Sequence, residues 1–81
     1  MVALTLYGKA GCHLCEEARA EVEAVRAQHD FELTEVDVAL DPVLHREYGE
    51  RIPVIEVNGQ EAFELRVDRV ALARLLATVA P

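Results

Sequence analysis

Apolar residues recur at every second position near the start of the chain, where Val2, Leu4 and Leu6 share one parity. An alternation with period two is typical of a β-strand. The positions between them are also largely apolar, which favours burial on both faces. We therefore predict a short strand over 2–7, placed in the centre of a sheet.

From Cys12 onward the apolar period lengthens to steps of three and four, and charged residues occupy the opposite side. The apolar stripe consists of Cys15, Ala18, Val22 and Val25. This pattern predicts an amphipathic helix that packs one face on a sheet. The segment from Gly8 to Gly11 forms the turn before it, since glycine permits tight geometry and close approach of another chain segment.

The middle of the chain predicts a second strand and a short helix. Phe31 to Val38 has strand composition, but the parity of its apolar residues changes midway, which suggests burial on both faces or a bulge. Asp41 is a suitable N-cap and Pro42 a suitable first helical residue. This helix is expected to stop near Gly49.

The last third of the chain predicts a hairpin followed by a helix. Pro53 heads an apolar strand, and Asn58-Gly59 is typical of a two-residue type I′ turn. The return strand is expected over Gln60 to Leu65, with Phe63 and Leu65 on one face. Asp68 should cap a final helix whose sheet-facing residues are Leu72, Leu75, Leu76 and Val79.

This order of elements, β-α-β-α-β-β-α, predicts an α/β protein with one four-stranded mixed sheet flanked by helices. The first two strands should be parallel because a crossover helix joins them, and the last two should form an antiparallel hairpin. The 81 residues are expected to form one domain.

Composition and charge narrow the possible partners and location. The net charge of −7 argues against nucleic acid and anionic membranes as partners, and it favours a basic or neutral protein. No apolar run approaches the roughly 20 residues of a membrane span. The first residues, Met1 to Leu6, lack a basic lead and a long apolar region, so we do not expect a signal peptide. We predict a cytoplasmic monomer.

The only two cysteines, Cys12 and Cys15, are three positions apart at the predicted start of a helix. Two thiols at this spacing can form a disulfide and reopen it by exchange. The helix N-terminus favours an anion, and so lowers the pKa of a thiol there. Cys12 at the exposed start is the candidate nucleophile, and Cys15 on the apolar stripe is the candidate resolving thiol.

Three other uses of the cysteine pair stay open from the sequence. A structural disulfide that closes a loop of about four residues stabilises the folded state by only about 2 kcal/mol, so a purely structural role is weakly motivated. Half of a zinc site would need further ligands, and His13, His29 and His45 do not form a His-x-x-x-His pair. The third alternative is two unreactive core cysteines.

At this point the sequence resembles the thioredoxin fold, most closely its compact glutaredoxin-like branch. The resemblance spans the chain and is carried by Thr5-Leu6-Tyr7 leading into Gly11-Cys12-His13-Leu14-Cys15, by Ile52-Pro53-Val54, and by the hairpin-plus-helix ending. It implies a dithiol–disulfide oxidoreductase in which Cys12 and Cys15 are catalytic. It also implies a cis bond before Pro53, and a substrate site formed by Tyr7, His13, Leu14, Ile52 and Pro53.

The chain also departs from that family's pattern. The place of its paired glycines before the last helix reads Glu64-Leu65-Arg66-Val67-Asp68, and the first strand contains no acid. The resemblance implies no tightly bound cofactor and no metal site, with glutathione as a possible reductant. The expected substrates are disulfide-containing proteins or glutathione mixed disulfides, and the expected reductant is glutathione or a thioredoxin-type partner. The alternatives are a metal or iron–sulfur binding module and a non-enzymatic interaction domain.

Overall fold

The computed structural model describes residues 1–79, and its elements follow the predicted order. The strands and helices are β1 (Val2–Gly8), α1 (His13–Arg26), β2 (Phe31–Asp37), α2 (Pro42–Tyr48), β3 (Val54–Val57), β4 (Gln60–Glu64) and α3 (Arg69–Val79), with a short 3₁₀ turn at Val38–Leu40. No helix in this described range is long and apolar enough to cross a bilayer.

The four strands form one mixed sheet in the order β2-β1-β3-β4. β1 and β2 are parallel, with Val2 opposite Phe31, and β3 runs antiparallel to both β1 and β4. The predicted mixed topology is confirmed. β1 lies inside the sheet, as its apolar residues on both parities predicted.

The main core lies between the sheet and the helices α1 and α3. Val22 of α1 and Leu72 of α3 are fully buried against Leu4 and Ile55 of the two inner strands. The predicted inner face of α3 is confirmed, since Leu76 is buried and Leu75 and Val79 pack half-buried against the same core. α2 has no buried residue.

Both predicted aspartate caps form. The Asp41 carboxylate accepts the N–H of Val43 at 2.8 Å, and the Asp68 carboxylate accepts the N–H of Val70 at 2.9 Å. Each cap satisfies a helix N–H that has no partner within its own helix. α2 ends at Tyr48, and Gly49 follows as its C-cap, where the sequence placed the stop.

Of the two alternatives predicted for the second strand, burial on both faces is correct and a bulge is not. Its register with β1 runs without a shift from Phe31 to Asp37, so a bulge there is wrong. Leu33 and Val36 are half-buried on opposite faces of this edge strand. Val38 is fully buried, but it lies beyond the strand in the 3₁₀ turn. The parity changes because apolar residues contribute to both faces of the strand, Leu33 to one and Val36 to the other.

The hairpin forms as predicted, but the return strand is shorter. Asn58 and Gly59 have φ of 51° and 82°, the two positive values that a type I′ turn requires. β4 ends at Glu64, and Leu65 has a φ of 68° with 45% of its surface exposed. The expectation that Leu65 shares a strand face with Phe63 is therefore wrong. The chain turns at Leu65 to reach α3, and this turn removes the residue from the sheet.

Candidate functional site

Cys12 and Cys15 lie where β1 ends and α1 begins, and their sulfurs are joined in a disulfide. Their Cα atoms are 5.2 Å apart. Cys12 is the N-cap of α1, and its sulfur accepts the backbone N–H of Cys15 at 3.2 Å. An N-cap side chain normally uses oxygen for this contact, and here the acceptor is the sulfur of Cys12.

The two sulfurs have different surroundings, as their positions on the helix predicted. Cys12 is half-buried, whereas Cys15 is only 4% exposed. Cys15 packs closely on the end of β1, because a Cβ added to Gly8 would lie 3.1 Å from its sulfur. In the reduced protein, a negative charge on Cys12 would meet the unpaired N–H groups and the positive end of the helix dipole, and both stabilise a thiolate.

The bond between Ile52 and Pro53 is cis, as the resemblance implied. Ile52 forms a small buried cluster with Cys15 and Val38, and Tyr7 and Cys12 pack against this cluster. Within residues 1–79, neither the N–H nor the C=O of Ile52 takes part in a hydrogen bond. Backbone groups of this kind can pair with an extended peptide segment.

His13 and Leu14, the two residues between the cysteines, point into different surroundings. The His13 side chain is 90% exposed, and its Nδ1 lies 4.0 Å from a carboxylate oxygen of Glu16. Leu14 is half-buried and lines a cleft together with Phe63 and Leu65. The structure therefore brings Tyr7, Ile52 and the cysteines together, places Leu14 beside them on the cleft side, and leaves His13 in solvent.

A cluster of Tyr7, Tyr48 and Glu56 lies next to the cysteine pair, and the sequence analysis did not identify it. The two tyrosine rings stack with centroids 4.3 Å apart and an interplanar angle of 16°. The Tyr7 hydroxyl donates to Glu56 Oε1 at 3.1 Å, and the Tyr48 hydroxyl donates to Glu56 Oε2 at 3.3 Å. Both rings also pack against the buried cluster that contains Cys15.

This tyrosine–glutamate cluster changes the acidity of its phenols. Burial, followed by the hydrogen bond to Glu56 and that residue's charge, raises the pKa of Tyr7 to about 12. Burial and the charge of Glu56 also raise the pKa of Tyr48. The one sequence signal was Glu56 itself, a single acid inside the apolar run Val54-Ile55-Glu56-Val57. An acid in an inner strand needs hydrogen-bond partners, and here they are the hydroxyls of Tyr7 in β1 and Tyr48 in α2.

Three basic residues near the site, Lys9, Arg51 and Arg66, have different surroundings. Arg51 donates to Glu64 at 2.9 Å and also to Glu61, and its guanidinium lies 5.5 Å from the centre of the Tyr48 ring. Lys9 lines a cleft of about 290 Å³ beside Gly8 and Cys15. Arg66 lines the separate cleft of about 580 Å³ that contains Leu14. The guanidinium of Arg51 is thus paired with neighbouring acids, whereas Lys9 and Arg66 each line an open cleft.

In the part of the chain from residue 1 to residue 79, no group of three or more histidine, cysteine, aspartate or glutamate residues is arranged to hold a metal ion.

Comparison with known proteins gives a consistent family and fold. The family model described as a glutaredoxin-like domain (DUF836) matches residues 3–77. A solved structural-genomics protein from X. campestris is 32% identical, with a TM-score of 0.76 and coverage of 96% of this chain and 99% of that one. An NMR structure from Nitrosomonas europaea is 30% identical, with a TM-score of 0.79 and coverage of 93% and 91%.

More distant similarities agree with this assignment. A mutant thioredoxin from Halobacterium salinarum is 25% identical, with a TM-score of 0.73 and coverage of 99% of this chain and 75% of that one. An uncharacterized protein of Mycobacterium tuberculosis is 29% identical over 68 residues, which are 78% of this chain and 70% of that protein. The thioredoxin-like fold and the adjacent disulfide pair together support a redox-type function.

Proposed function

The chain belongs to the family of glutaredoxin-like domains, and we propose that it is a thiol–disulfide oxidoreductase whose redox pair is Cys12 and Cys15. One observation carries the proposal. The half-buried sulfur of Cys12 accepts a helix N–H at 3.2 Å, while Cys15 is buried directly behind it. This arrangement favours an acidic, accessible thiol paired with a protected one.

The reaction begins with the reduced protein. The Cys12 thiolate attacks one sulfur of a substrate disulfide, so a Cys12–substrate bond forms as the substrate's own S–S bond breaks. The other substrate sulfur leaves as a thiolate and takes a proton from solvent. This step splits the substrate disulfide and produces a mixed disulfide on the protein.

The second step uses the buried thiol. Cys15 loses its proton and attacks the sulfur of Cys12, which releases the second substrate thiol and closes the Cys12–Cys15 disulfide. In total, two electrons pass from the protein to the substrate, and the two product thiols take one proton from Cys15 and one from solvent. A thiol reductant, either glutathione or a thioredoxin-type dithiol, restores the reduced pair. The protein contributes alignment and thiolate stabilisation rather than a bound cofactor.

The remaining site residues position the substrate in this proposal. The unpaired backbone groups of Ile52, next to Pro53, bind the chain that carries the substrate disulfide. Leu14 lines the cleft on one side of the cysteines, and Tyr7 packs beneath them. His13 is exposed above the helix start, where a protonated imidazole would stabilise a Cys12 thiolate.

We place this reaction in the cytoplasm of the cell, with the protein as a monomer. In a reducing compartment, a lone Cys-x-x-Cys pair is more often catalytic or metal-binding than structural. The acidic net charge of −7 favours a basic or neutral protein substrate over nucleic acid.

The deciding experiment is a redox titration. Protein equilibrated in thiol–disulfide buffers is alkylated, and free thiols are counted by mass. We expect one reversible two-electron transition between about −270 and −200 mV, the range from thioredoxin to glutaredoxins. A pair that stays reduced at every potential, or a metal that must be removed before alkylation, would favour the metal-binding alternative.

Two matched variants test the order of the steps. Cys15→Ser should accumulate a stable mixed disulfide on Cys12, because the resolving thiol is absent. Cys12→Ser should form none with the buried Cys15, which is 4% exposed. Mass spectrometry of both variants after incubation with a disulfide peptide measures this difference. Equal trapping on either cysteine would contradict the assigned roles, and no reaction at all would support a non-enzymatic interaction domain.

A further inference from the structure

Cys15 must lose a proton before it can attack Cys12, and its surroundings oppose this loss. Its side chain is 4% exposed and packs with Val38 and Ile52 in a small apolar cluster. Burial of this kind disfavours the charged thiolate. A base close to Cys15 would therefore accelerate the second step of the exchange reaction.

A cleft of about 290 Å³ reaches Cys15 on the side of the sheet where β1 pairs with β2. We refer to it as the Cys15 cleft. It is polar and large enough to hold water. Cys15 itself lines the cleft, and the charged residues of the lining are Lys9, Glu16, Arg19, Glu35 and Asp37.

We propose that the carboxylate of Asp37 accepts the proton of Cys15 through water in the Cys15 cleft. This inference rests on the proposed exchange reaction and assigns a further residue to its second step. The Cys15 thiolate attacks the sulfur of Cys12, so the Cys12–Cys15 bond forms as the bond between Cys12 and the substrate breaks. The Asp37 carboxyl returns its proton to water, and the leaving substrate thiolate takes a proton from water.

The pairing of β1 and β2 places Asp37 next to the sulfur of Cys15. Gly8 lies directly opposite Asp37 in this parallel pair, and paired residues point to the same face of a sheet. Gly8 has no side chain, and a Cβ added to it would lie 3.1 Å from the Cys15 sulfur. The sulfur thus occupies the space over Gly8, and Asp37 is one strand away, at a spacing of about 4.8 Å. A single water molecule can bridge a separation of this kind.

The two other acids of the cleft are less suited to this role. Glu35 is paired with Arg19 at 2.6 Å. The Glu16 side chain is 69% exposed, and its carboxylate lies 4.0 Å from the imidazole of His13. β1 itself contains no acid.

Asp37 differs from them because one of its oxygens has no partner. Its side chain is half-buried, and Oδ1 accepts the N–H of Ala39 at 2.9 Å. Among residues 1–79, Oδ2 accepts no hydrogen bond. By contrast, both oxygens of Glu56, on the opposite face of the sheet, accept tyrosine hydroxyls. Oδ2 of Asp37 can therefore take a proton while Oδ1 continues to cap the 3₁₀ turn.

The test measures the two exchange steps separately. Reduced protein is mixed with bis(2-hydroxyethyl) disulfide, an uncharged compound, and samples are quenched with acid at successive times. Mass spectrometry distinguishes the mixed disulfide on Cys12 from the closed Cys12–Cys15 disulfide. Asp37→Asn should form the mixed disulfide as fast as the unaltered protein, but it should close the Cys12–Cys15 bond about 100-fold more slowly near pH 7, which is the lower end of general-base effects.

The variants are matched in size and differ in charge. The amide oxygen introduced by Asp37→Asn can still accept the N–H of Ala39, so the cap is retained while the base is lost. Glu16→Gln and Glu35→Gln make the same change in the other acids of the cleft and should leave the closing step unchanged. Thermal unfolding shows whether each variant is folded. If Asp37→Asn is not, Asp37→Ser replaces it, since serine also caps through an oxygen.

The pH profile distinguishes a base from a residue that only holds Cys15 in place. In Asp37→Asn the closing step should accelerate as the pH rises, because hydroxide then removes the proton of Cys15. The deficit against the unaltered protein should shrink from about 100-fold near pH 7 to less than about tenfold near pH 10. A purely structural effect would give the same deficit at both values.

The outcomes separate this inference from the function beneath it. An unchanged closing step in Asp37→Asn, a deficit that does not vary with pH, or a larger effect of Glu16→Gln would overturn the role of Asp37 while leaving the exchange reaction intact. If the unaltered protein forms neither the mixed nor the closed disulfide with this compound, the proposed function fails, and the inference with it.

Discussion

The tyrosine–glutamate cluster gives a prediction that needs no knowledge of the substrate. Glu56 accepts one hydrogen bond from Tyr7 and one from Tyr48, and its charge opposes ionisation of both phenols. The substitution Glu56→Gln removes the charge but retains a polar side chain of nearly the same size. We expect it to lower the pKa of Tyr7 from about 12 towards, but not to, its usual value of 10.0. Burial remains, and burial is the largest cause of the shift.

The raised pKa also sets how stability depends on pH. A phenol whose pKa is higher in the folded state stabilises the fold fully below the unfolded pKa of about 10, and this contribution is lost as the pH rises through about 12. Two pKa units correspond to at most about 2.7 kcal/mol. Tyr7 is only half-buried, so we expect about 1 kcal/mol after solvent screening. In the Glu56→Gln variant, the free energy of unfolding should therefore fall less as the pH rises from about 10 to about 12.

The assay is a spectrophotometric titration of tyrosinate. The chain contains two tyrosines and no tryptophan, so the ultraviolet change reports these two residues alone. The unfolded protein in denaturant should titrate near 10, whereas the native protein should titrate above it in two overlapping steps that belong to the stacked pair. Tyr7→Phe leaves only the Tyr48 step. Glu32→Gln, which changes an exposed acid on the edge strand, is the control and should not alter the curve.

Two results would refute this reasoning. If both native tyrosines titrate near 10, the two phenols are neither desolvated nor affected by the charge of Glu56. If the Glu56→Gln curve superimposes on that of the unaltered protein while both remain above 10, burial alone raises the values and the charge of Glu56 has no part in it.

Three predictions concern the stability of the fold. Leu72→Ala should cost about 2–5 kcal/mol in urea unfolding, because Leu72 is fully buried between α3 and the sheet, and a loss under 1 kcal/mol would mean that the site collapses around the cavity. Asp68→Ala should lower the free energy of unfolding by about 1 kcal/mol, because it removes the N-terminal cap of α3. The control Asp30→Ala, in an exposed turn, should change it little, and equal effects of the two variants would show that the cap does not stabilise the fold. Gly49→Ala should cost at least about 1 kcal/mol because its new Cβ would collide with the carbonyl oxygen of His45, and unchanged stability would show that the end of α2 adjusts freely.

Local signals were enough for most of the fold. The two aspartate caps and the Asn58-Gly59 turn depend on contacts within four residues, so the sequence alone predicted them correctly. The inner position of β1 also followed from a local pattern. The end of β2 and the end of β4 were not predicted. Val38 packs with Cys15 and Ile52, and the N–H of Leu65 donates to the carbonyl of Pro53, so both residues have partners that are distant in sequence.

The candidate site also combines features that local sequence predicted with features that it did not. The spacing of Cys12 and Cys15 predicted that the two thiols differ in exposure, since both positions belong to one helix start. In the structure Cys12 is half-buried and Cys15 is buried. The unpaired backbone groups of Ile52 and the cis bond before Pro53 were expected only through the family resemblance. No periodicity relates them to the cysteines, which lie about 40 positions earlier in the chain.

The elements, their order and the place of the two thiols can be predicted from local sequence, because each depends on neighbours along one helix, turn or strand. The distant residues that surround those thiols become apparent only in the folded chain. Tyr7, Tyr48 and Glu56 come from β1, α2 and β3, and they meet because strand pairing and the packing of α2 bring three separate segments together. The cleft that Leu14 and Leu65 line has the same origin, since these two residues meet only when β4 pairs with β3 and the chain turns towards α3.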